Sequence, residues 1–437
     1  METKIKNICV IGLGYVGLTL AATLAEKGFK VFGIEKNKEI LNQLKQAKPH
    51  FHEVGLGELI LKYSGKNLLL CPEIPVKEKI DCFIIAVSTP IDKITQKPDM
   101  RYIIRAVKEI IPHLRSGQLI TLRSTIPVGT TRKVVLPMLQ EKCKDFYLSF
   151  CPERTAEGKA LIELKTLPQV IGGLNKKSTD MSVELFSKIS PCIVKTDSLE
   201  TAEIVKLINN SYRDMVFAYA NQIALICKSL GLNAKEVIQA ANFEYPRSNV
   251  QVPGVVGGFC LEKDPHILIN SSNCDSKLIK AAKEINEGIP YHILERIKEH
   301  LKEKNKSSKK AKIFISGFAF KGQPETDDIR SSQAVKLISL LQEDGVDNIF
   351  GHDFIVSENI IKCFSVEPCS LENGFKNADV VIFMNNHKKY DQVKLGSLSK
   401  KMKKDGYIFD GWQVFYEQLK DLPSGILYES IGFKNKK

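Results

Sequence analysis

The segment ICVIGLGYVGLTLAATLAEKGFKVFGIE, residues 8–35, decides the fold of the first part of the chain. Gly12, Gly14 and Gly17 form a G-x-G-x-x-G pattern that follows an apolar strand and opens a helix. The first glycine permits a tight turn, the second lets the backbone approach a pyrophosphate, and the third lets the helix pack on the strand. In this context the pattern predicts a dinucleotide-binding βαβ unit.

The acidic residue that ends the second strand of this unit selects the cofactor. The Glu35 carboxylate accepts hydrogen bonds from a ribose diol and repels a 2′-phosphate, so we expect NAD rather than NADP. Lys36 and Lys38 weaken this argument, because their charges favour a phosphate. The alternative interpretation, a doubly wound fold that has lost its nucleotide, is less favoured because the motif and its context are complete.

Strand and helix patterns predict an α/β protein with two Rossmann-like, doubly wound domains joined by a central long-helix dimerisation region. The predicted domains are 1–195, 196–305 and 306–437. Apolar runs that alternate with amphipathic stretches are typical of parallel sheets. The predicted strands are 7–12, 30–35, 81–87, 118–124, 312–317, 348–353, 379–384 and 407–412.

The central part loses the strand signal. Residues 199–231 carry apolar residues at helical spacing and end at Gly231. A helix of this length extends beyond one core, so we predict that it forms a subunit interface in a homodimer or higher homo-oligomer. The lysine-rich stretch 298–312 is predicted to be a linker.

Composition excludes several classes of protein. With 43% hydrophobic and 26% charged residues, no signal-peptide pattern and no apolar run of membrane-spanning length, we expect a cytoplasmic protein without membrane insertion. The 11 cysteines lack CxxC pairs and ligand spacing, so we expect neither a disulfide framework nor a metal site. The net charge of +13 suits an anionic partner, but the lysines are spread along the chain, so we expect a small molecule rather than nucleic acid.

The segment GVVGGFCLEKDP, residues 254–265, surrounds one thiol with glycines and charges. A buried structural cysteine needs neither, so we predict that Cys260 is a nucleophile, whereas Cys9, Cys82 and Cys227 are small buried hydrophobic residues. Lys263 raises the local positive potential and favours the thiolate. With a dinucleotide site in the same chain, this predicts oxidation of an alcohol through an aldehyde, a thiohemiacetal and a thioester to a carboxylate. Asp264 is a candidate for moving protons or orienting the hydrolytic water.

Seven motifs follow one another in a fixed order over nearly the whole chain. They are GLGYVGL (12–18), STP (88–90), RSTIPVGTT (123–131), CPERTAEGKAL (151–161), AEIVKLINNSY (202–212), GGFCLEKDP (257–265) and GFAFKGQPETDDIRSS (317–332). With these motifs the sequence resembles the nucleotide-sugar 6-dehydrogenases of UDP-glucose, UDP-N-acetylmannosamine, UDP-N-acetylglucosamine and GDP-mannose type. The resemblance implies two NAD consumed per sugar, a dimer, and Cys260 as the nucleophile.

Site residues follow from the resemblance. The implied catalytic residues include Cys260 and Asp264. Lys206 and Asn210 are implied to hold the oxyanion, and Glu157 and Thr125 to act on the hydrolytic water. The implied NAD contacts are Gly12, Gly14, Tyr15, Val16, Gly17, Glu35, Ser88, Thr89, Thr125, Glu157, Lys263 and Arg330. The implied substrate contacts are Glu153, Lys206, Asn210, Gly257, Phe320, Lys321 and, from a partner subunit, Arg247.

The family often has an arginine in a D-G-R motif near the C-terminus, and the sequence departs from the family at this motif. Here the motif reads Asp410-Gly411-Trp412, and a tryptophan can stack but cannot neutralise a phosphate. The expected reaction is the four-electron oxidation of C6 of a UDP-N-acetylhexosamine or UDP-glucose. The alternatives are GDP-mannose as substrate, a single-step hydroxyacid or hydroxyacyl dehydrogenase, and a non-catalytic nucleotide-sugar sensor.

Overall fold

The computed structural model describes residues 5–435, which divide into two units. Of the described residues, unit 1 contains 5–210 and 263–274, and unit 2 contains 211–262 and 275–435. Each unit has its own sheet and its own apolar core.

Among the described residues, unit 1 is built on an eight-stranded sheet. Its strands are β1 (Asn7–Ile11), β2 (Lys30–Ile34), β3 (Leu68–Cys71), β4 (Cys82–Ile85), β5 (Leu119–Leu122), β6 (Tyr147–Phe150), β7 (Gln169–Gly173) and β8 (Ile193–Thr196). They lie in the order β3-β2-β1-β4-β5-β6-β7-β8, and every neighbouring pair is parallel except β6 and β7. The order reverses between β1 and β4, the switch point at which open α/β sheets bind ligands.

Helices cover both faces of this sheet, as a buried parallel sheet requires. They are α1 (Tyr15–Glu26), α2 (Lys38–Lys45), α3 (Leu56–Tyr63), α4 (Arg101–Ile110), α5 (Leu136–Gln140), α6 (Ala160–Thr166) and α7 (Lys176–Phe186). The Asn37 side chain accepts the Glu39 amide at 2.9 Å and caps α2. Alternate residues of β1 enter two separate apolar clusters: Ile8 joins one and Cys9 the other.

Two helices continue along the chain from one unit into the other. They are α8 (Leu199–Ser229) and α10 (Phe259–Asn270), whereas α9 (Ala234–Asn242) and α11 (Lys277–Glu303) belong to unit 2. In residues 5–435, no helix combines the length and the apolar composition that crossing a membrane requires.

Unit 2 carries a second parallel-rich sheet. Its strands are β9 (Ile313–Ser316), β10 (Ile349–His352), β11 (Glu367–Pro368), β12 (Val380–Phe383), β13 (Tyr407–Asp410), β14 (Leu427–Ser430) and β15 (Phe433–Lys434). They lie in the order β11-β10-β9-β12-β13-β14-β15, and only β14 and β15 form an antiparallel pair within the described sheet. The further helices are α12 (Gln333–Glu343), α13 (Glu358–Lys362), α14 (Leu371–Phe375) and α15 (Leu395–Ser399).

A buried carboxylate connects the sheet of unit 2 to its long helices. Glu429 on β14 accepts hydrogen bonds from Lys228 on α8 and from Arg296 Nε on α11, the latter at 2.8 Å. Burial raises the pKa of Glu429, but the bond from Arg296 and the charge of Lys228 outweigh it, so this pKa lies below its usual range. Loss of the carboxylate would remove this counter-charge from the partly buried Lys228 and leave Arg296 with its exposed partner Glu299.

The predicted fold class is confirmed by the two α/β sheets and the long helix α8. Each predicted strand contains an observed strand, and Cys9, Cys82 and Cys227 are buried as predicted. The predicted linker at 298–312 is wrong for its first part, because α11 continues to Glu303 and buries Leu301. The domain boundaries at 195/196 and 305/306 stay predictions.

Candidate active site

The glycine loop after β1 has the geometry that its motif requires. Gly12 adopts φ +89°, and a Cβ on Gly17 would collide with the Gly12 carbonyl oxygen. Gly14 is exposed, and nothing lies within 4 Å of where its Cβ would be. Helix α1 begins at Tyr15, with Val16 next, so first-turn amides that lack partners within the helix lie beside this open space. These residues fit a dinucleotide pyrophosphate.

The loops after β4 and β5 are connected at the same edge of the sheet. Thr89 Oγ1 donates to the Thr125 carbonyl oxygen at 2.5 Å, and Ser124 Oγ donates to the Val87 carbonyl oxygen at 2.6 Å. Thr89 is buried, whereas Ser88 is exposed. The predicted cofactor contacts Ser88, Thr89 and Thr125 therefore lie at the carboxyl ends of strands, where ligands of such sheets bind.

Glu35 lies beside the glycine loop. Its Oε2 accepts the Leu13 amide at 3.3 Å, and its Oε1 accepts the Asn37 amide at 2.9 Å. Lys36 forms an ion pair with Glu109 at 3.3 Å, so one of the two lysines that favour a 2′-phosphate already has a carboxylate partner. This arrangement fits a ribose diol better than a phosphate.

We expect NAD to bind at least about tenfold more tightly than NADP, because the Glu35 carboxylate meets the 2′-phosphate with like charge. Glu35→Ala should reduce this preference, and Glu58→Ala, which changes an exposed carboxylate on α3, should leave it unchanged. Isothermal titration calorimetry with each dinucleotide measures both constants. Equal affinity of the unaltered protein for NAD and NADP would show that the lysines at 36 and 38 dominate.

Buried polar side chains of unit 1 form a connected group around Asp264. Asn210 Nδ2 donates to Asp264 Oδ2 at 2.5 Å, and Lys263 Nζ donates to Asp264 Oδ1 at 2.7 Å. Lys206 and Asn210 are both buried and lie four residues apart, hence on one face of α8. The structure thus brings Asn210, Lys263 and Asp264 together, with Asp264 fixing the amide of Asn210.

Glu153 belongs to a second buried group in unit 1. Arg123 donates to Glu153 Oε2 from Nη2 at 2.7 Å and from Nε at 3.1 Å. Glu153 Oε1 accepts the backbone amides of Arg154 at 2.8 Å and Thr155 at 2.9 Å. Both oxygens of Glu153 therefore have protein donors.

These contacts decide the charge of Glu153. Burial raises its pKa, but the charge of Arg123, the hydrogen bonds and the charge of Lys206 outweigh this effect, so the pKa lies below its usual range. Arg123 is fully buried and was missed in the sequence interpretation. The available signal was a charged residue immediately after the apolar strand that precedes Ser124.

Glu157 lies on the turn between Glu153 and α6 and is half-buried. Backbone amides anchor this turn on both sides of it: Ala156 donates to Glu163 and Gly158 donates to Glu53, each at 2.7 Å. The position of Glu157 is therefore fixed through its neighbours in the chain.

Cys260 is exposed in the first turn of α10, in unit 2. The glycines before it approach other groups of that unit closely. A Cβ on Gly257 would lie 2.6 Å from the Ser331 carbonyl oxygen, and one on Gly258, at φ +103°, would lie 2.6 Å from the Phe320 ring. The glycines thus have a packing role, and the implied substrate contact at Gly257 stays a prediction.

The remaining predicted contacts of unit 2 lie near the same loop. Lys321 Nζ is 5.3 Å from the centroid of the Phe320 ring. Arg330 donates to Asp328, with Nη2 to Oδ2 at 2.7 Å, and its guanidinium lies 4.8 Å from the Phe259 ring centroid. Phe259 immediately precedes the candidate nucleophile.

Arg247 is exposed on the surface of unit 2. Its Nε donates to the Tyr245 hydroxyl at 3.1 Å. It borders a largely apolar groove of about 490 Å³, which Tyr219 on α8 and Leu278 on α11 also line. The assignment of Arg247 to the site of a partner subunit stays a prediction.

Family models match the chain in three successive parts. Residues 6–190 match the NAD binding domain, 200–288 the central domain and 314–417 the UDP binding domain of the UDP-glucose/GDP-mannose dehydrogenase family. The chain belongs to this family. As a UDP-glucose/GDP-mannose family dehydrogenase it is an oxidoreductase and its cofactor is NAD, which confirms the resemblance and the cofactor predicted from the motifs.

Relatives of this dehydrogenase match over its full length. It is 36% identical to the UDP-N-acetyl-D-mannosamine dehydrogenase of Methanococcus vannielii, over 100% of this chain and 97% of the relative. The structure of the UDP-D-ManNAc dehydrogenase of Pyrococcus horikoshii aligns with a TM-score of 0.88 at 31% identity, covering 98% and 99% of the two chains. The UDP-N-acetyl-mannosamine dehydrogenase of Staphylococcus aureus aligns with a TM-score of 0.83 at 31% identity, covering 98% of each chain.

Proposed function

We propose that this enzyme oxidises the C6 hydroxymethyl group of UDP-N-acetyl-D-mannosamine to a carboxylate, reducing two NAD per sugar in the cytoplasm. The observation that carries the sugar assignment is the 36% identity, over the whole chain, to a relative named for that substrate. The match of 314–417 to a UDP binding domain supports a UDP-sugar in general.

Residues of unit 1 hold the cofactor in this proposal. The first-turn amides of α1 that follow Gly14 bind the pyrophosphate, and Glu35, which the Leu13 amide holds beside the glycine loop, binds the ribose diol. NAD supplies the hydride acceptor for each of the two oxidations.

Cys260 carries the covalent intermediates. The first oxidation removes a hydride and a proton from the alcohol and leaves an aldehyde, and the Cys260 thiolate then adds to its carbonyl carbon to form a thiohemiacetal. Loss of a second hydride from the carbon, together with the hydroxyl proton, gives a thioester. Water adds to the thioester and loses its protons, and the C–S bond breaks to release the carboxylate and the thiolate. The position of Cys260 in the first turn of α10 supports this role, because a helix N-terminus stabilises negative charge.

Lys206 and Asn210 stabilise the oxygen of the reacting carbon. Both additions, by the thiolate and by water, place negative charge on that oxygen, and a buried ammonium and amide donor stabilise it more strongly than water does. Asp264 positions Asn210 through the 2.5 Å hydrogen bond between them. Asp264 also lies four residues after Cys260, on the same helix face.

Glu157 is the proposed base for the hydrolytic water, with Thr125 helping to orient that water. Glu153 is less suited to this role, because Arg123 and two backbone amides already occupy its oxygens and hold its pKa low. We therefore propose that Glu153 holds the turn that carries Glu157 in position.

The UDP-sugar is held mainly from unit 2 in this proposal. Phe320 and Lys321 contact the nucleotide and its pyrophosphate, and the backbone at Gly257 lies along the sugar. The exposed position of Arg247 beside the apolar groove supports its assignment to the site of a partner subunit.

A substrate panel tests the proposal. The full chain is incubated with NAD and, separately, with UDP-N-acetyl-D-mannosamine, UDP-N-acetylglucosamine, UDP-glucose and GDP-mannose, and NADH is followed by absorbance. We expect UDP-N-acetyl-D-mannosamine to give the highest kcat/KM by at least about tenfold, with two NADH per sugar and a uronic acid by mass spectrometry. One NADH per sugar and a free aldehyde would contradict the Cys260 mechanism. Binding without oxidation of any sugar would favour a sensor, and preference for another sugar would overturn the assignment.

We also propose that the enzyme is a homodimer formed through α8. Exposed large hydrophobic residues lie along one side of α8 and continue to the residue that directly follows it, because they are spaced seven, seven and four positions apart. They are Tyr212, Tyr219, Ile226 and Leu230. This stripe is continuous with the apolar groove that Tyr219 lines. Exposed apolar surface of this kind marks interaction sites.

A charge placed in this stripe should separate the subunits. We expect Tyr219→Arg to elute as a 49.0 kDa monomer at low micromolar concentration, whereas the unaltered enzyme has twice that mass by light scattering. Ile162→Arg, at an exposed apolar residue on α6, is the matched control and should keep the dimer. A fully active monomeric unaltered enzyme would refute the proposed interface.

A further inference from the structure

Trp412 stands where the motif resemblance predicts an arginine, and it borders a cavity of unit 2. The cavity has a volume of about 360 Å³, which is within the range of small-molecule sites. Most of its lining residues lie within 314–417, the part that matches a UDP binding domain. The cavity is therefore a candidate site for part of a nucleotide.

The apolar part of the lining is a fixed aromatic wall. The rings of Trp412 and Phe217 lie 6.3 Å apart between centroids and are nearly perpendicular at 84°. Trp412 Nε1 donates to the Met384 carbonyl oxygen at 3.3 Å, and a Cβ on Gly254 would collide with the indole. The indole is thus held by neighbouring backbone while it borders the cavity. A preplaced aromatic ring stacks on a planar base at little entropic cost.

The polar part of the lining consists largely of carboxamides. Each is oriented by a hydrogen bond: Gln251 Nε2 donates to Asn249 O at 3.3 Å, Gln323 Nε2 to Asn386 O at 3.1 Å, and Gly322 N to Asn386 Oδ1 at 3.1 Å. A carboxamide offers two donors and an acceptor with two lone pairs, so one such bond leaves capacity for a ligand. The imide edge of uracil presents an acceptor, a donor and an acceptor, which oriented amides can match.

The charges around the cavity exclude a pyrophosphate. Among the described residues, those that line it include no lysine or arginine, but they do include Asp391. Burial lowers the pKa of His387, a further lining residue, so its imidazole is neutral near pH 7. A dianionic group would be repelled here, whereas a carboxylate accepts hydrogen bonds from ribose hydroxyls. Lys321 supplies a cation two residues before Gln323, outside the lining.

We propose that Trp412 stacks on the uracil ring of the UDP-sugar, while Phe217, whose ring is perpendicular to the indole, completes the apolar side of the cavity. Nucleoside recognition in this chain then depends on an aromatic wall at the position of the expected arginine. The inference rests on the proposed function, in that it assumes a uridine nucleotide as ligand. It makes Trp412 a specificity-determining residue that acts on substrate binding and not on the chemistry.

The sequence itself provides the probe, because Trp412 is the only tryptophan of the 437 residues. Tryptophan emission of the full chain is recorded during titration with UDP, UMP, GDP, ribose 5-phosphate and inorganic pyrophosphate, without NAD. We expect saturable quenching by UDP and UMP, at least about tenfold weaker binding of GDP, and no saturable change with the other two. Equal responses to pyrophosphate or GDP, or no response to UDP when calorimetry detects its binding, would overturn the proposal.

Variants separate stacking from packing. We expect Trp412→Leu to weaken UDP binding by about tenfold to a hundredfold in calorimetry, and Trp412→Phe, which keeps a ring, by no more than about threefold. With UDP-sugar as substrate, Trp412→Leu should raise KM by the same factor and leave kcat unchanged. Tyr291→Leu, an exposed aromatic residue of α11 outside the cavity, is the control. If Trp412→Phe weakens UDP as much as Trp412→Leu does, or if kcat falls instead of KM rising, the stacking role is wrong.

The two proposals fail in different ways. Saturable quenching by UDP in a protein that oxidises no sugar of the panel would support the aromatic wall and contradict the proposed function. Oxidation of UDP-N-acetyl-D-mannosamine with unchanged emission at saturating UDP would contradict the aromatic wall alone.

Discussion

Cys260→Ser is expected to reduce turnover to the uronic acid by about a thousandfold or more. Serine keeps the size of the side chain, but its hydroxyl is a far weaker nucleophile than a thiolate without a partnered base. Any ester that forms should also hydrolyse more slowly than the thioester it replaces. Because Cys260 is exposed, the substitution removes little packing, and the thermal midpoint should stay within a few degrees of that of the unaltered enzyme.

The expected loss is confined to the later steps. The first oxidation needs the cofactor and a base but no thiol, so a single-turnover experiment should still show some NADH. Mass spectrometry of the intact protein should detect a sugar adduct on residue 260 if the ester accumulates. If no adduct forms and the aldehyde is released instead, the slope of NADH against sugar consumed should approach one instead of two, because only the first oxidation has taken place.

Other cysteines provide matched controls. Cys363→Ser changes another exposed thiol, in unit 2, and should keep normal turnover. Cys9→Ser changes a buried thiol of β1, whose pKa burial raises, and should cost stability at most. Normal turnover of Cys260→Ser, together with inactivation by one of these changes, would show that the nucleophile has been assigned to the wrong residue.

The part of the fold that the sequence predicted is the part with unambiguous periodicity. The strands around the glycine loop and around 312–317 are apolar runs buried on both faces, and each appears where it was expected. Two of the strands that were not predicted are weaker signals for a physical reason. At the sheet edge, β8 (Ile193–Thr196) has exposed residues in its middle, and β3 (Leu68–Cys71) is mostly half-buried, so neither shows the apolar run of a central strand.

The lysine-rich stretch after 298 misled the interpretation in the opposite direction. A run of cations looks like a solvated linker, but Lys298 pairs with Asp344 at 3.1 Å and Leu301 is buried. Asp344 lies far away in the sequence, and the burial of Leu301 depends on the folded structure. Composition alone could therefore not reveal that this part of the stretch is helical.

The candidate site was predictable where the spacing is local, and not where it depends on tertiary contacts. Lys206 and Asn210 share a helix face because they are four residues apart, and this follows from the sequence alone. The bonds from Arg123 to Glu153 join positions 30 residues apart in two strand-end loops. No local pattern shows that two nitrogens of Arg123, Nε and Nη2, donate to the same oxygen of Glu153, and this contact changes the role assigned to Glu153.

Lys206→Met should lower kcat by about a hundredfold to a thousandfold, the effect of losing one oxyanion donor. The substitution keeps the length and apolar body of the side chain, so α8 should keep its packing. Glu153 loses one nearby positive charge but retains Arg123 at 2.7 Å, so we expect the buried carboxylate to stay compensated and the protein to fold. The KM for NAD should be unchanged, because Lys206 is not among the predicted cofactor contacts.

The pattern of losses distinguishes catalysis from folding. If Lys206 stabilises the oxyanion, Lys206→Arg should recover part of kcat, because it restores the positive charge, whereas Lys206→Met should not. Both oxidation and hydrolysis should slow, because each passes through a negatively charged oxygen on the same carbon. A large fall in the thermal midpoint, or a rise in the KM for NAD with kcat preserved, would instead assign Lys206 to the structure of unit 1. In that case the oxyanion would have to be held by Asn210, and Asn210→Ala would become the variant with the larger loss of kcat.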